Sequence, residues 1–325
     1  KSGMAFNPLL EAGIIAVTGY ILSAGALNKH MSAIFGFIAA GMLFGNHCLG
    51  LVDVRFIDTA AVLERLCMML LTAQAVRYAV ACSAHGMFVR RFGTGAVAAL
   101  ATAVLTAGFI APLPLPVNIK VASALFAATL SPVTVHSLRD ADPVTGEHVA
   151  VASGGFIAAV VLWGIATPLF GPSGAGKLRL AAMPVILGLT SLAAGFAWEY
   201  AGVTFFRLRS TGSNTLQRLT HVFLILPCAR IFGLDYIFLA AGMGAYSGMM
   251  KEQPSEDNRL DVFAGIFVFG MFGLRLPIAK TLLFGAEAWT FVLVLAAAVL
   301  FTRTVTISLA SRLVARKAER WAKIG

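Results

Sequence analysis

Charge is what this sequence lacks most. Only 12% of its 325 residues are Asp, Glu, Lys or Arg, and 58% are hydrophobic. A water-facing surface needs about 25% charged residues, so a soluble globular fold is excluded. Acids are scarcer than bases, 15 against 25, which leaves a net charge of +10. That excess does not point to nucleic acid. The basic residues sit in short loops and at the C-terminal end, with no stripe of alternating aromatic and basic residues, and so read as a topology signal. Cysteines are few: Cys48, Cys67, Cys82 and Cys228 lie in or beside apolar runs without a CxxC pair. They read as small packing thiols, and neither a metal nor a cofactor is expected. No Ser-His-Asp, HExxH or paired-carboxylate arrangement is visible, so an enzyme is not expected. The run Gly171-Pro172-Ser173-Gly174-Ala175-Gly176-Lys177 imitates a phosphate-binding loop. Leu178 stands where that loop needs Ser or Thr, and the run joins two apolar segments instead of a strand and a helix. Glu11 interrupts the first apolar run, so no cleavable signal peptide is expected.

What the sequence does have is apolar runs. A helix crosses the hydrocarbon core with about 20 apolar residues. Eleven candidates are present: Leu9–Leu27, Met31–Leu49, Thr59–Ser83, Thr94–Ile110, Val121–Leu138, His148–Phe170, Leu180–Tyr200, Leu216–Ile231, Tyr236–Met250, Val262–Leu276 and Trp289–Leu313. The eighth to tenth are short. The longest polar connections, Val203–Thr215 and Lys251–Asp261, leave no room for a soluble domain. The expected fold is an all-α polytopic membrane protein in a lipid bilayer, of the bacterial inner (plasma) membrane type. Basic residues concentrate on one side, as at Arg90, Arg91, Arg207, Arg209 and the run Arg312 to Lys323. That side is expected to be cytoplasmic and to hold the C-terminus, with the N-terminus outside. The final basic run suits either an anionic leaflet or a solvated tail.

The most informative stretch is Ala127-Ala128-Thr129-Leu130-Ser131-Pro132-Val133-Thr134-Val135-His136. Pro132 lacks an amide proton and clashes with the carbonyl one turn back, so the helix is expected to break near Thr129–Pro132. A break at membrane depth is tolerated where it is packed in protein or lines a wet cavity. Thr129, Ser131 and Thr134 then offer oxygens to freed backbone groups or to a cation. His136 titrates near neutral pH when unperturbed, or is a satisfied histidine at the helix exit. Charges inside apolar runs are costly and informative. Glu64 reads either as a cavity residue or as half of an ion pair. Arg303, deep in the last run, reads as a counter-charge to helix C-terminal ends or a carboxylate, or as a packing residue. Glu199 and Tyr200, beside Trp198, read as an interfacial belt.

Several blocks share the order of a known family: the Gly-rich Met31–Gly45, the interrupted Ala128–Asp140, Gly233-Leu234-Asp235 leading to Ala245, Phe263–Leu276, and Leu300–Leu313 with Arg303 inside it. In these the chain resembles the cation–proton antiporter superfamily, nearest the potassium-efflux and sodium–proton exchanger branch. The resemblance implies an inverted-repeat helical bundle with a scaffold part, a mobile core, and broken helices beside an acidic residue. That acid would take a proton or a monovalent cation alternately. Three departures stand out. The window Ser153–Val160 has no acid, and Glu147 lies about ten residues, or roughly 15 Å, away. Ala264 stands where potassium-efflux members often carry lysine. The family continues through two more helices after the stretch ending at Leu313, so the second repeat is expected to be incomplete. The expected organisation is a first membrane repeat over 1–170, a linker helix and loop over 171–215, and a shortened second repeat with a basic tail over 216–325. Two functions follow from the resemblance: a monovalent cation–proton antiporter, or an antiporter-like membrane subunit or sensor that lacks the transport carboxylate and does not exchange ions. A second copy of the chain or a partner membrane chain would accompany either.

Overall fold

The computed structural model describes residues 8–28, 33–45, 48–52, 54–81, 85–113, 115–129, 146–170, 177–205, 215–250, 258–275 and 285–322. Among them are eleven helices and no strand: α1 (Pro8–Asn28), α2 (Ala33–Phe44), α3 (Val54–Ala81), α4 (His85–Ile110), α5 (Val117–Ala128), α6 (Gly146–Phe170), α7 (Lys177–Phe205), α8 (Thr215–Ile231), α9 (Tyr236–Met249), α10 (Asn258–Arg275) and α11 (Ala286–Ala322). Each apolar run of the sequence holds one helix among the described residues, with residues 130–138 of the fifth run outside them, and several helices outrun their apolar part. α4 begins nine residues before Thr94, and α11 continues past Leu313 through Arg316, Lys317 and Arg320. Hydropathy marks where a helix can meet lipid; its backbone bonds continue wherever no residue breaks them.

Among the described residues three segments are long and apolar enough to cross a membrane: Arg90–Ile110, Met183–Thr204 and Trp289–Thr306. Shorter apolar stretches lie in α1, α2, α5, α6, α8 and α10. α3 has 28 residues but carries Arg55, Asp58, Glu64, Arg65 and Arg77, too many charges for a simple span.

Proline does not end every helix it enters. α7 and α8 run past Pro184 and Pro227. The stop after α8 has another cause: Gly233 takes a left-handed φ of 63°. The Leu234 amide then reaches back to the Ala229 carbonyl at 2.8 Å, the closure that favours glycine just past a helix end. Asp235 caps α9 at once, its Oδ1 accepting the amides of Ile237 (2.9 Å) and Phe238 (3.1 Å).

The chain forms two compact units, each assembled from separate stretches. The first comprises residues 1–81, 133–145 and 190–283, the second 82–132, 146–189 and 284–325. In the first, Leu66 and Met69 of α3, Val222, Ile225 and Ala229 of α8, and Leu239, Ala240 and Met243 of α9 form a buried cluster. A second cluster joins Ile15 of α1, Phe56 and Ala60 of α3, and Met271 and Leu274 of α10. In the second unit the buried cluster is nearly all alanine: Ala99 and Ala103 of α4, Ala128 at the end of α5, and Ala159 of α6. Small residues let helix backbones approach closely where lipid supplies no hydrophobic drive for association. α4 and α6 use that closeness reciprocally. A Cβ on Gly95 would strike the Val151 carbonyl, and one on Gly154 the Phe92 carbonyl.

A candidate site at the end of helix α5

The alanine contact brings the C-terminal end of α5 against α4 and α6. α5 has 12 residues and ends at Ala128. Thr129 is extended, with φ −68° and ψ 121°. A helix end leaves its last four carbonyls without partners inside the helix. Thr129 turns back on one of them: its amide reaches the Phe126 carbonyl at 3.1 Å and its hydroxyl donates to the same oxygen at 2.6 Å. Arg303 of α11 satisfies two more acceptors. Its Nε donates to the Ala127 carbonyl at 3.0 Å and its Nη2 to the Thr129 carbonyl. A cation is favoured at the negative end of a helix dipole. These charge-assisted bonds offset the cost of taking a half-buried guanidinium out of water.

Arg303 is positioned by four threonines. Thr102 and Thr306 lie 3.0 Å apart, and Thr106 and Thr302 lie 3.2 Å apart. All four are 5% exposed or less. Thr302 commits its single proton to the Ala298 carbonyl at 2.7 Å, so Thr106 donates across the helix pair. The two bonds lie one turn apart and lock α11 antiparallel to α4, with residue 303 turned to α5. The window without an acid is closely packed. Ser153 is 3% exposed and donates to the Val149 carbonyl at 2.8 Å, and Gly154, Gly155 and Ala159 are buried.

Thr129 and Arg303 are therefore brought together. Ser131, Pro132, Thr134 and His136 lie outside the described residues, as does the glycine-rich run 171–176. Glu64 belongs to the other unit, where its two oxygens face Arg275 Nη1 at 2.8 Å and Nη2 at 2.6 Å in a bidentate pair. Sequence reasoning missed the threonine ladder, although hydroxyls four apart on two apolar runs are a readable sign of two helix faces that bond. It also missed that Glu199 accepts a hydrogen bond from Ser247 at 2.7 Å. No marker in the sequence joins those two residues. Among the described residues no group of three or more His, Cys, Asp or Glu could hold a metal ion. Compared with known proteins, the chain matches no family model and no curated protein.

Proposed function

We propose that this chain is an integral membrane protein of antiporter-like build, and that it is a subunit or sensor that does not exchange ions. The observation that carries this reading is Arg303 on the carbonyls of Ala127 and Thr129. The C-terminal end of a broken helix is where unwound carbonyls collect a monovalent cation in many transporters. Here a guanidinium, which keeps its charge throughout the physiological range, already occupies two of those oxygens. Exchange further requires a group that holds a proton in one state and yields to a cation in the other. The Ser153–Val160 stretch offers one hydroxyl and no carboxylate. Glu64, the other candidate acid, is held by Arg275.

A second reading, monovalent cation–proton exchange, draws on one specific observation. Glu199 is the single carboxylate within the three long apolar segments, and Ser247 holds it. One assay separates the two readings. In proteoliposomes carrying the purified chain and a trapped pH dye, a sodium or potassium gradient is expected to move no more protons than in protein-free vesicles between roughly pH 6 and 9, the range in which perturbed carboxylates or histidines would act. Saturable exchange that disappears with Glu199→Gln would establish the second reading. Exchange that survives that change and disappears with Glu64→Gln would overturn both site assignments.

A further inference from the structure

A second polar region lies in the first unit, along α3, α7 and α9. Helix α9 has only 14 residues, about 21 Å of helix, and is buried on nearly every face. On one side a Cβ at Gly244 would strike the Ala73 carbonyl, and one at Gly248 the Arg77 carbonyl, so α3 runs parallel to α9 in a fixed register. On another side the Asp235 amide donates to Ser191 Oγ at 2.8 Å, Gly195 packs on the Leu239 carbonyl, and Ser247 bonds Glu199. α7 is therefore parallel to α9 as well.

That register sorts the polar groups into two layers. The offset that sets Ala73 beside Gly244 brings Glu64 level with Asp235 and Arg77 level with Gly248. The first layer holds the Glu64–Arg275 pair and the Asp235 cap, with Arg65 next to Glu64 on α3 and Tyr236 the first residue of α9. The second holds Arg77, Glu199 and Ser247 beside Tyr246. Between them lie Leu66, Met69, Leu239, Ala240 and Met243, all buried. Thirteen positions on α3 separate Glu64 from Arg77, and twelve separate Asp235 from Ser247, which is about 18–20 Å of helix.

The hydrocarbon core of a bilayer is about 30 Å thick. Two charged layers so close together cannot both lie at its surfaces, and tilting the helices only brings them nearer along the normal. Nor can Glu64, Asp235 and Glu199 reach outward, because their bonds to Arg275, to the amides of Ile237 and Phe238, and to Ser247 hold them. Polar groups at such depth persist where protein or water meets them. The second layer meets protein: Arg77 is 4% exposed. The first is open, with the Arg275 side chain 45% exposed inside its ion pair.

We propose that the first unit carries a water-filled vestibule ending on the Glu64–Asp235–Arg275 layer, separated from the Arg77–Glu199–Ser247 layer by an apolar septum of about 18 Å. With Glu64 and Asp235 set against Arg65 and Arg275, the layer has no net formal charge. Its occupants are water and small hydrated ions of either sign, and it is an access path, not a tight ion site. The proposal rests on the membrane reading above and not on which transport reading holds.

Single cysteines test it, in a chain whose Cys48, Cys67, Cys82 and Cys228 are replaced by alanine. In sealed membrane vesicles a membrane-impermeant cationic methanethiosulfonate is expected to modify Arg65→Cys and Tyr236→Cys at least about tenfold faster than Leu70→Cys in the septum, because the reaction needs a hydrated thiolate. Val62→Cys, on an exposed position one turn before Arg65 on the same face of α3, gives the same readout if Arg65→Cys does not fold. Rates at 65, 62 and 236 no faster than at 70 would overturn the vestibule. So would labelling that fades as the acyl chains of the bilayer are lengthened, which is the mark of a locally thinned membrane. Release of the unmodified chain by alkaline washing would instead defeat the membrane reading itself.

Discussion

Replacing Arg303 with methionine keeps an unbranched apolar stem but removes the guanidinium and its N–H donors, so the change tests the two bonds to the end of α5. A hydrogen bond to a charged group contributes about 1.5–3 kcal/mol, and two of them are lost. The loss is partly offset, because an arginine at the centre of a membrane helix itself costs about 2.5–3.5 kcal/mol. The net destabilisation is therefore expected to be roughly 1–3 kcal/mol. At about 2–4 °C per kcal/mol, the figure for domains of about 150–250 residues, the midpoint should fall by roughly 2–12 °C. The assay is thermal unfolding in detergent, followed by reaction of a thiol dye with Cys67, which is 2% exposed in the folded chain, with Cys48, Cys82 and Cys228 replaced by alanine. Arg303→Lys keeps the charge but not the planar fork, so it should recover part of the loss. Thr304→Val is the control: Thr304 is exposed on the same helix and bonds only the Leu300 carbonyl within its own turn. A midpoint for Arg303→Met within about 1 °C of the parent would refute the claim that this guanidinium holds the α5 end. So would equal losses with lysine and methionine. Amide exchange at Ala127–Thr129 should rise in Arg303→Met and stay unchanged in the control.

Gly154→Ala should destabilise by about 1–3 kcal/mol, since the added methyl meets the Phe92 backbone and not a side chain that can swing away; chromatographic monodispersity and the unfolding midpoint check it. In a double-mutant cycle, Thr102→Val and Thr306→Val should couple by about 0.6 kcal/mol, the usual size of a hydrogen bond between membrane helices. Zero coupling would mean that the ladder does not position Arg303.

The sequence by itself determined that the chain is helical, and where the eleven helices among the described residues lie. Period and composition act locally, and a run such as Leu216–Ile231 has no other way to satisfy its backbone away from water. It also pointed to Thr129 and Arg303, because a threonine just ahead of Leu130-Ser131-Pro132 and a lone arginine in an apolar run are visible as departures from their surroundings. The three prolines show the limit of that reasoning. Pro184 and Pro227 sit inside continuous helices, whereas α5 stops three residues before Pro132 is reached. Neighbouring helices can make good a missing backbone bond, so the residue marks only a place where a break is inexpensive.

Partners were decided by the tertiary structure. Arg303 binds backbone carbonyls, which carry no residue signature, at positions more than 170 residues earlier in the chain. Glu64 reads equally as a cavity acid or an ion-pair half until α10 brings Arg275 to it from 211 residues away. Glu199 reads as an interfacial residue until α9 lies parallel to α7 and sets Ser247 against it. The two polar layers of the first unit depend on that same register, fixed by glycines at Gly195, Gly244 and Gly248 that admit another helix's backbone. A sequence states which side chains can pair. Helix register, set by where backbones can approach, chooses among them.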